Sequence, residues 1–135
     1  MPYKNLKLYT DGGARGNPGP AGIGGALYSG GKKIDEFSRY LGHATNNQAE
    51  YEALIEGLHR AKNLGAEEVE CYLDSELVVK QMKREYKVKD KKLASLFVKV
   101  WNASLAFKKI TFHHLRREKN KEADRLVNEA IDRHV

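Results

Sequence analysis

The sequence contains one cysteine, three prolines and no long apolar run. A single cysteine, Cys71, excludes an intramolecular disulfide and a thiolate metal cluster, and its setting in VECYLD predicts a strand residue in a reducing compartment. No window approaches the roughly 18 apolar residues that a membrane span needs, and MPYKNLKLYTD lacks the apolar stretch of a signal peptide. We therefore expect a soluble, cytoplasmic protein with no membrane partner.

Glycine is concentrated in the stretch TDGGARGNPGPAGIGG, where five glycines recur at every third position. Only 12 glycines occur in 135 residues, far fewer than the one-third that a collagen helix requires. No Gly-Lys-Ser/Thr follows them, which excludes a phosphate-binding P-loop. The remaining interpretation is a tight hairpin connection that leaves room beside Asp11.

The length of 135 residues predicts one domain, residues 1–135, with its own core. The net charge of +6 favours an anionic partner, although a run of charge can equally be a solvated face. The basic residues are concentrated in two groups: Lys80, Lys83, Arg84, Lys87, Lys89, Lys91 and Lys92, and Lys108, Lys109, Arg116, Arg117, Lys119 and Lys121.

Hydrophobic periodicity predicts strands and helices in alternation. The predicted strands are LKLYTD, AGIGGALYS, KKIDEFSRYLG, EEVECYLD and KKITFHHL, and the first three form an antiparallel meander. The predicted helices are residues 46–63, SELVVKQMKREYK, DKKLASLFVKVWNASL with Trp101 facing inward, and NKEADRLVNEAIDRHV. Ser75 and Asn120 are the expected N-caps of the second and last helices.

These elements predict an α/β fold, a five-stranded mixed sheet flanked by helices in the order ββαβααβα. The helix at residues 46–63 provides the crossover that makes the first and fourth strands parallel neighbours. Ligands of such sheets gather at the carboxyl ends of the strands, where Asp11 and Asp74 lie.

Four acidic residues at the ends of elements are candidate metal ligands: Asp11, Glu50, Asp74 and Asp124. Taken singly, each has a simpler interpretation as a turn residue, a cap or a favourable charge at a helix N-terminus. Neighbouring carboxylates repel one another unless they share a cation, and oxygen-only ligands suit Mg²⁺ or Mn²⁺. Two such ions would support hydrolysis of a phosphodiester.

The blocks TDGGARGNPGPAGIGGAL, TNNQAEYEALIEGL, YLDSELVVKQM and NKEADRLVNEA occur in the order and spacing of type 1 ribonuclease H, which the sequence resembles over nearly its whole length. The resemblance implies a ribonuclease H-like fold and hydrolysis of the RNA strand of RNA/DNA hybrids, leaving 5′-phosphate and 3′-hydroxyl ends. It also implies two Mg²⁺ ions, with Mn²⁺ as an alternative, held by the four acids named above.

The same resemblance assigns residues that contact the nucleic acid. Asn17, Asn46 and Asn47 match the residues that read the minor groove of the hybrid, and Thr45 matches a contact to a DNA-strand phosphate. A nuclease for double-stranded RNA or branched DNA, and a non-catalytic binder of the same fold, are the alternatives. The presence of all four acids disfavours the binder.

The sequence departs from the family in two places, one that concerns catalysis and one that concerns binding of the nucleic acid. His114 stands where members have a mobile histidine, but the following segment lacks their glycine-containing loop, and Arg117 matches the arginine of members without that loop. The basic handle insertion of many members is also missing. The lysines between positions 80 and 92 are its candidate replacement. We expect a monomer whose partner is RNA/DNA hybrid, with double-stranded RNA as a second candidate.

Overall fold

The structure, a computed structural model, describes residues 3–135. Its elements in chain order are β1 (Asn5–Ala14), β2 (Gly19–Ser29), β3 (Lys32–Ala44), α1 (Asn46–Asn63), β4 (Glu68–Leu73), α2 (Glu76–Met82), α3 (Lys91–Ser104), β5 (Lys109–His114) and α4 (Lys121–Asp132), with a 3₁₀ turn at Arg117–Lys119 before α4. No helix among these residues is long and apolar enough to cross a membrane.

The five strands form one mixed sheet in the order β3-β2-β1-β4-β5. β2 pairs antiparallel with β1 and β3, whereas β4 pairs parallel with β1 and β5. This confirms the predicted α/β class and the parallel contact of the first and fourth strands. The order ββαβααβα is one strand short: the three strands of the predicted meander all precede α1, and β3 pairs with β2 along its length.

The glycine-rich stretch is a hairpin whose turn is short. β1 continues beyond Asp11 to Ala14, so only residues 15–18 connect it to β2. Gly22, Gly24 and Gly25 lie in a strand as predicted, whereas Gly12, Gly13 and Gly19, expected in the connection, also lie in strands. A Cβ on Gly12 would stand 2.2 Å from the backbone of Ala49 in α1, and one on Gly24 would stand 2.6 Å from the Ala123 carbonyl oxygen in α4. These two glycines let a helix backbone approach each face of the sheet.

The helix boundaries agree with the sequence prediction in part. α1 spans residues 46–63 as predicted, and Ser75 caps α2 by accepting a hydrogen bond from the Val78 N–H. α2 is shorter than predicted, because Arg84 adopts a left-handed φ of 67° just after Met82.

The main core lies between the sheet and the helices α1, α2 and α3, while α4 covers the opposite face of β1, β2 and β3. Val100 is the fully buried residue of α3. Trp101, predicted to face inward, is instead 41% exposed, and the Arg84 guanidinium lies over its ring at 5.6 Å. α3 therefore contacts the core along a narrower stripe than its apolar pattern indicates.

We expect Gly12→Ala to destabilise the fold by about 3 kcal/mol, because the added methyl group meets the backbone of Ala49, which cannot move aside alone. Gly13→Ala is the matched control, since a Cβ there approaches nothing closer than 3.9 Å. Urea unfolding of both variants measures the difference. Equal stabilities for the two variants would contradict this account of the helix approach.

Candidate active site

Two buried carboxylates form the floor of a cleft at the carboxyl end of β1. Asp11 is 6% exposed and Glu50, on α1, is 5% exposed. The Gly12 N–H donates to Glu50 Oε1 at 2.6 Å, so the strand orients the helix side chain. One carboxylate oxygen from each of Asp11, Glu50 and Asp74 lies within 4.8 Å of the other two.

Sheet register explains why Asp74 joins this group. The parallel pairing of β1 with β4 ends at Thr10 and Leu73, so Asp11 and Asp74 each follow the last pair directly. Their side chains therefore leave neighbouring strands at the same edge of the sheet.

Asp124 lines the same cleft from α4 but, among the described residues, lies outside the 4.8 Å group. Its carboxylate is 3.6 Å from the Arg117 guanidinium and 3.4 Å from Asn128 Nδ2. The cleft has a volume of about 440 Å³. The structure thus brings all four predicted acids to one cleft, with three of them close together and the fourth, Asp124, outside that close group.

Burial and mutual repulsion dominate the electrostatics of the cleft. Burial, together with the charges of Asp74 and Asp124, raises the pKa of Asp11 to about 7, although a hydrogen bond with Glu50 opposes the shift. Burial and the charge of Asp11 raise the pKa of Glu50 well above its ordinary value. Burial also raises the pKa of Asp74, against the opposing charge of Arg117. A cation in the cleft would relieve this repulsion.

The residues present fit a hard divalent cation. Glu50 Oε2 is buried and has no hydrogen-bond partner among the described residues, so one carboxylate oxygen remains available to a ligand. The neighbouring ligand atoms are all carboxylate oxygens, which suit Mg²⁺ or Mn²⁺ rather than zinc.

A chain of amide contacts joins the β1–β2 hairpin to the start of α1. The Asn46 N–H donates to Asn17 Oδ1 at 3.0 Å, and the Ala14 N–H donates to Asn46 Oδ1 at 2.8 Å. Asn46 and Asn47 line the carboxylate cleft, while Asn17, Thr45 and Asn47 line an adjacent hollow. The four residues assigned to nucleic-acid contact therefore lie along one continuous surface beside the acids.

Thr45 has a structural role that the sequence analysis missed. Its hydroxyl accepts from the Gln48 N–H, and the Gln48 side chain accepts from the Thr45 N–H, so the two residues form a capping box at the start of α1. The signal was present in the Thr-Asn-Asn-Gln spacing. Lys91 and Lys92 line the hollow beside Thr45, which places part of the first basic group next to the amides.

The two candidates for an assisting residue occupy different positions. Arg117 lines the carboxylate cleft, and its side chain is 79% exposed. His114 ends β5 as the register partner of Leu73 and is exposed. The described residues that line the cleft include Arg117 and not His114.

The chain is similar in sequence to known proteins. The family described as Reverse transcriptase-like matches residues 9–130. The chain is 44% identical over 127 residues to the bifunctional protein Rv2228c of Mycobacterium tuberculosis, covering 93% of this chain and 35% of that protein. It is 36% identical to a ribonuclease H of Erythrobacter litoralis, covering 96% of this chain and 97% of the relative. The chain therefore spans about a third of the length of the mycobacterial relative.

A solved structure of a related protein has the same fold as this chain. LC11-RNase H1, in complex with an RNA/DNA hybrid, superposes with a TM-score of 0.91 at 48% identity, covering 95% of this chain and 97% of that one. Together the sheet order and the carboxylate cleft define a ribonuclease H-like domain. The agreement with relatives over nearly the whole chain narrows the class: this chain belongs to the type 1 ribonuclease H family.

The raised pKa of Asp11 predicts how the stability of the metal-free protein depends on pH. The folded state holds the proton up to about pH 7, whereas the unfolded chain releases it near 3.8. The folded state therefore binds more protons between these values, and the free energy of unfolding contributed by Asp11 falls as pH rises through this window. In chelating buffer, the Tm of Asp11→Asn should exceed that of the wild type by an amount that grows from about pH 4 to about pH 7.5.

The same substitution at Asp132 serves as the control, because that residue is exposed at the end of α4. A Tm difference for Asp11→Asn that is constant across the window, or matched by Asp132→Asn, would contradict the assignment.

Proposed function

We propose that this chain is a metal-dependent endoribonuclease that hydrolyses the RNA strand of RNA/DNA hybrids to 5′-phosphate and 3′-hydroxyl ends. The observation that carries the proposal is the convergence of Asp11, Glu50 and Asp74 oxygens within 4.8 Å, on the floor of a cleft bordered by amides. Family membership supports the reaction, and the solved relative bound to an RNA/DNA hybrid supports the substrate.

Asp11, Glu50, Asp74 and Asp124 would hold the ions, two Mg²⁺ with Mn²⁺ as an alternative. Divalent ions supply Lewis-acid chemistry when bound, making a water molecule more acidic and stabilising charge on the leaving oxygen. Asp11 and Asp74 each interact with all three other acids, and Asp11, the more deeply buried of the two, has the central place. The Gly12 N–H keeps Glu50 oriented, and β1 and β4 hold Asp11 and Asp74 at fixed separation.

Selectivity for RNA comes from the amides beside the acids. The Oδ1 atoms of Asn17 and Asn46 accept main-chain N–H groups, which leaves their Nδ2 donors for a ligand. Short amides suit the wide, shallow minor groove of a hybrid, where the 2′-hydroxyls distinguish RNA from DNA. Asn47 borders both the cleft and the adjacent hollow, so it would contact the same groove between them.

The adjacent hollow binds a phosphate of the DNA strand. Thr45 contributes polar atoms, and Lys91 and Lys92 contribute positive charge on its other side. Such contacts position a duplex without reading its sequence. These lysines follow the short connection from Met82 to Lys91, where the handle insertion of other members would lie.

Arg117 assists at the cleft in preference to His114. Its guanidinium already lies 3.6 Å from Asp124, and most of its side chain is exposed, so a phosphate in the cleft could reach it. A cation at this position would stabilise charge that develops on the phosphate.

We also propose that the chain works as a single domain, as a monomer and in the cytoplasm. All four acids come from one chain, so a second copy is not needed to complete the cleft. One sheet with helices packed on both faces supports the single domain, and the lone, buried Cys71 suits a reducing compartment.

Cleavage of labelled RNA/DNA hybrid, double-stranded RNA and double-stranded DNA tests the function, each with Mg²⁺, with Mn²⁺ and with chelator. We expect metal-dependent cleavage of the hybrid and a loss of about 1,000-fold or more in kcat for Asp11→Asn, because the central ligand is removed. Cooperative thermal unfolding of that variant shows that the fold is retained. Preferred cleavage of double-stranded RNA would change the substrate, and no cleavage in any metal would overturn the proposal.

Arg117→Ala should lower kcat by about 10-fold or more, whereas His114→Ala should stay within about twofold of the wild type, because only Arg117 borders the cleft. Single-turnover rates on the hybrid measure chemistry apart from product release. The reverse ranking would assign the assisting role to His114.

A further inference from the structure

Asn120 is a buried polar residue whose side chain does not cap α4, although its position predicts that it would. It immediately precedes α4, where asparagine normally caps the helix by accepting a main-chain N–H. Its side chain makes no capping hydrogen bond, and its backbone dihedrals are φ −112° and ψ 36°. It is only 2% exposed, among the most buried polar residues of the described chain.

The side chain crosses to the sheet instead. Asn120 Nδ2 donates to the Thr10 carbonyl oxygen at 2.9 Å. Thr10 is the last β1 residue paired with β4 and immediately precedes Asp11. The contact therefore joins the start of α4 to the point where the parallel pairing of β1 with β4 ends.

The main chain of Asn120 reaches the fourth acid. Its carbonyl oxygen accepts the Asp124 N–H at 3.1 Å, in the first turn of α4. One residue thus contacts the neighbour of Asp11 through its side chain and Asp124 through its backbone. The same amide also interacts with Asp74, where it opposes the rise in pKa that burial causes.

This arrangement is unfavourable for helix stability alone. Giving up an N-cap costs about 1 kcal/mol. Asn120 Oδ1 and the nearby Thr10 Oγ1 are buried and have no hydrogen-bond partners among the described residues, and each such atom carries a further penalty. If Asn120 served only as the N-cap of α4, its Oδ1 would accept a hydrogen bond from the N–H groups of the first helical turn. The contacts that the side chain makes instead indicate a role at the cleft.

We propose that Asn120 is a positioning residue that sets the place of Asp124 relative to Asp11 and Asp74, and with it the geometry of metal binding. This inference rests on the proposed function. Polar contacts such as that of Ser38 Oγ with the Leu126 carbonyl oxygen, and Lys33 with Glu122, hold α4 to the outer strand β3. The bond from Asn120 to Thr10 instead ties the start of α4 to β1, directly beside Asp11.

Asn120→Ser is the informative substitution. Serine retains N-cap ability and adds no charge, but its hydroxyl is too short to span from α4 to the Thr10 carbonyl oxygen. Asn102→Ser makes the same change on the exposed surface of α3 and is the matched control. Val69→Ala, in the core at the start of β4, controls for lost stability away from the cleft.

We expect Asn120→Ser to lower kcat on the hybrid by about 10- to 100-fold while KM stays within about threefold. Without substrate, the Mg²⁺ concentration that gives half of the metal-induced rise in Tm should increase about 10-fold. Both values should stay at the wild-type level in Asn102→Ser and Val69→Ala. Unchanged kcat and an unchanged Mg²⁺ midpoint in Asn120→Ser would overturn the proposal, as would an equal loss in Val69→Ala.

If Asn120→Ser does not fold, a measurement on the wild-type protein tests whether the Asn120 side chain binds Thr10. In ¹⁵N-labelled protein, the side-chain amide protons of Asn120 should exchange slowly with water and show contacts to Thr10. Rapid exchange would overturn the inference. Because this measurement and the Mg²⁺ titration use no substrate, failure of the wild type to cleave the hybrid would refute the proposed function without deciding the role of Asn120.

Discussion

The parallel pairing of β1 with β4 is the constraint on which the site depends. It ends with one register pair, Thr10 and Leu73, so the next residue of each strand is an aspartate directed to the same edge. Glu50 completes the group because α1 lies against β1 closely enough for the Gly12 N–H to bind its carboxylate. The fold therefore assembles three like charges where burial raises the pKa of each, which is a stable arrangement only with protons or a cation.

The floor of the cleft and its surroundings carry charges of opposite sign. The chain carries a net charge of +6, yet the floor of the cleft is acidic. Lysines and Arg117 lie around it, the lysines beside the hollow and the arginine beside Asp124. A polyanion would be attracted to the periphery by long-range charge, whereas a small cation would be attracted to the floor. The arrangement of charge therefore suits a polyanion and a small cation bound side by side.

Much of the fold was predictable because local signals agreed with tertiary packing. The limits of α1 and the cap at Ser75 follow from apolar periodicity and local hydrogen bonding, and both are confirmed. The predictions for the length of α2, for Trp101 and for Gly12 and Gly13 were wrong. Trp101 is exposed because α3 buries a narrow stripe, and β1 continues past Asp11 because Gly12 and Gly13 pair with β2. Hydrophobic periodicity does not specify which distant segments pair or how closely they approach one another.

The sequence by itself determined the identities and order of the acids, the five strands and the family, because residue type and spacing record them directly. Tertiary structure alone decided that Asp11, Glu50 and Asp74 form the close group while Asp124 stands apart, and that Arg117 rather than His114 borders the cleft. It also turned Asn120 from an expected cap into a link between α4 and β1. The physical reason is that a side chain selects among partners by distance and direction in the folded chain, and spacing along the sequence specifies neither.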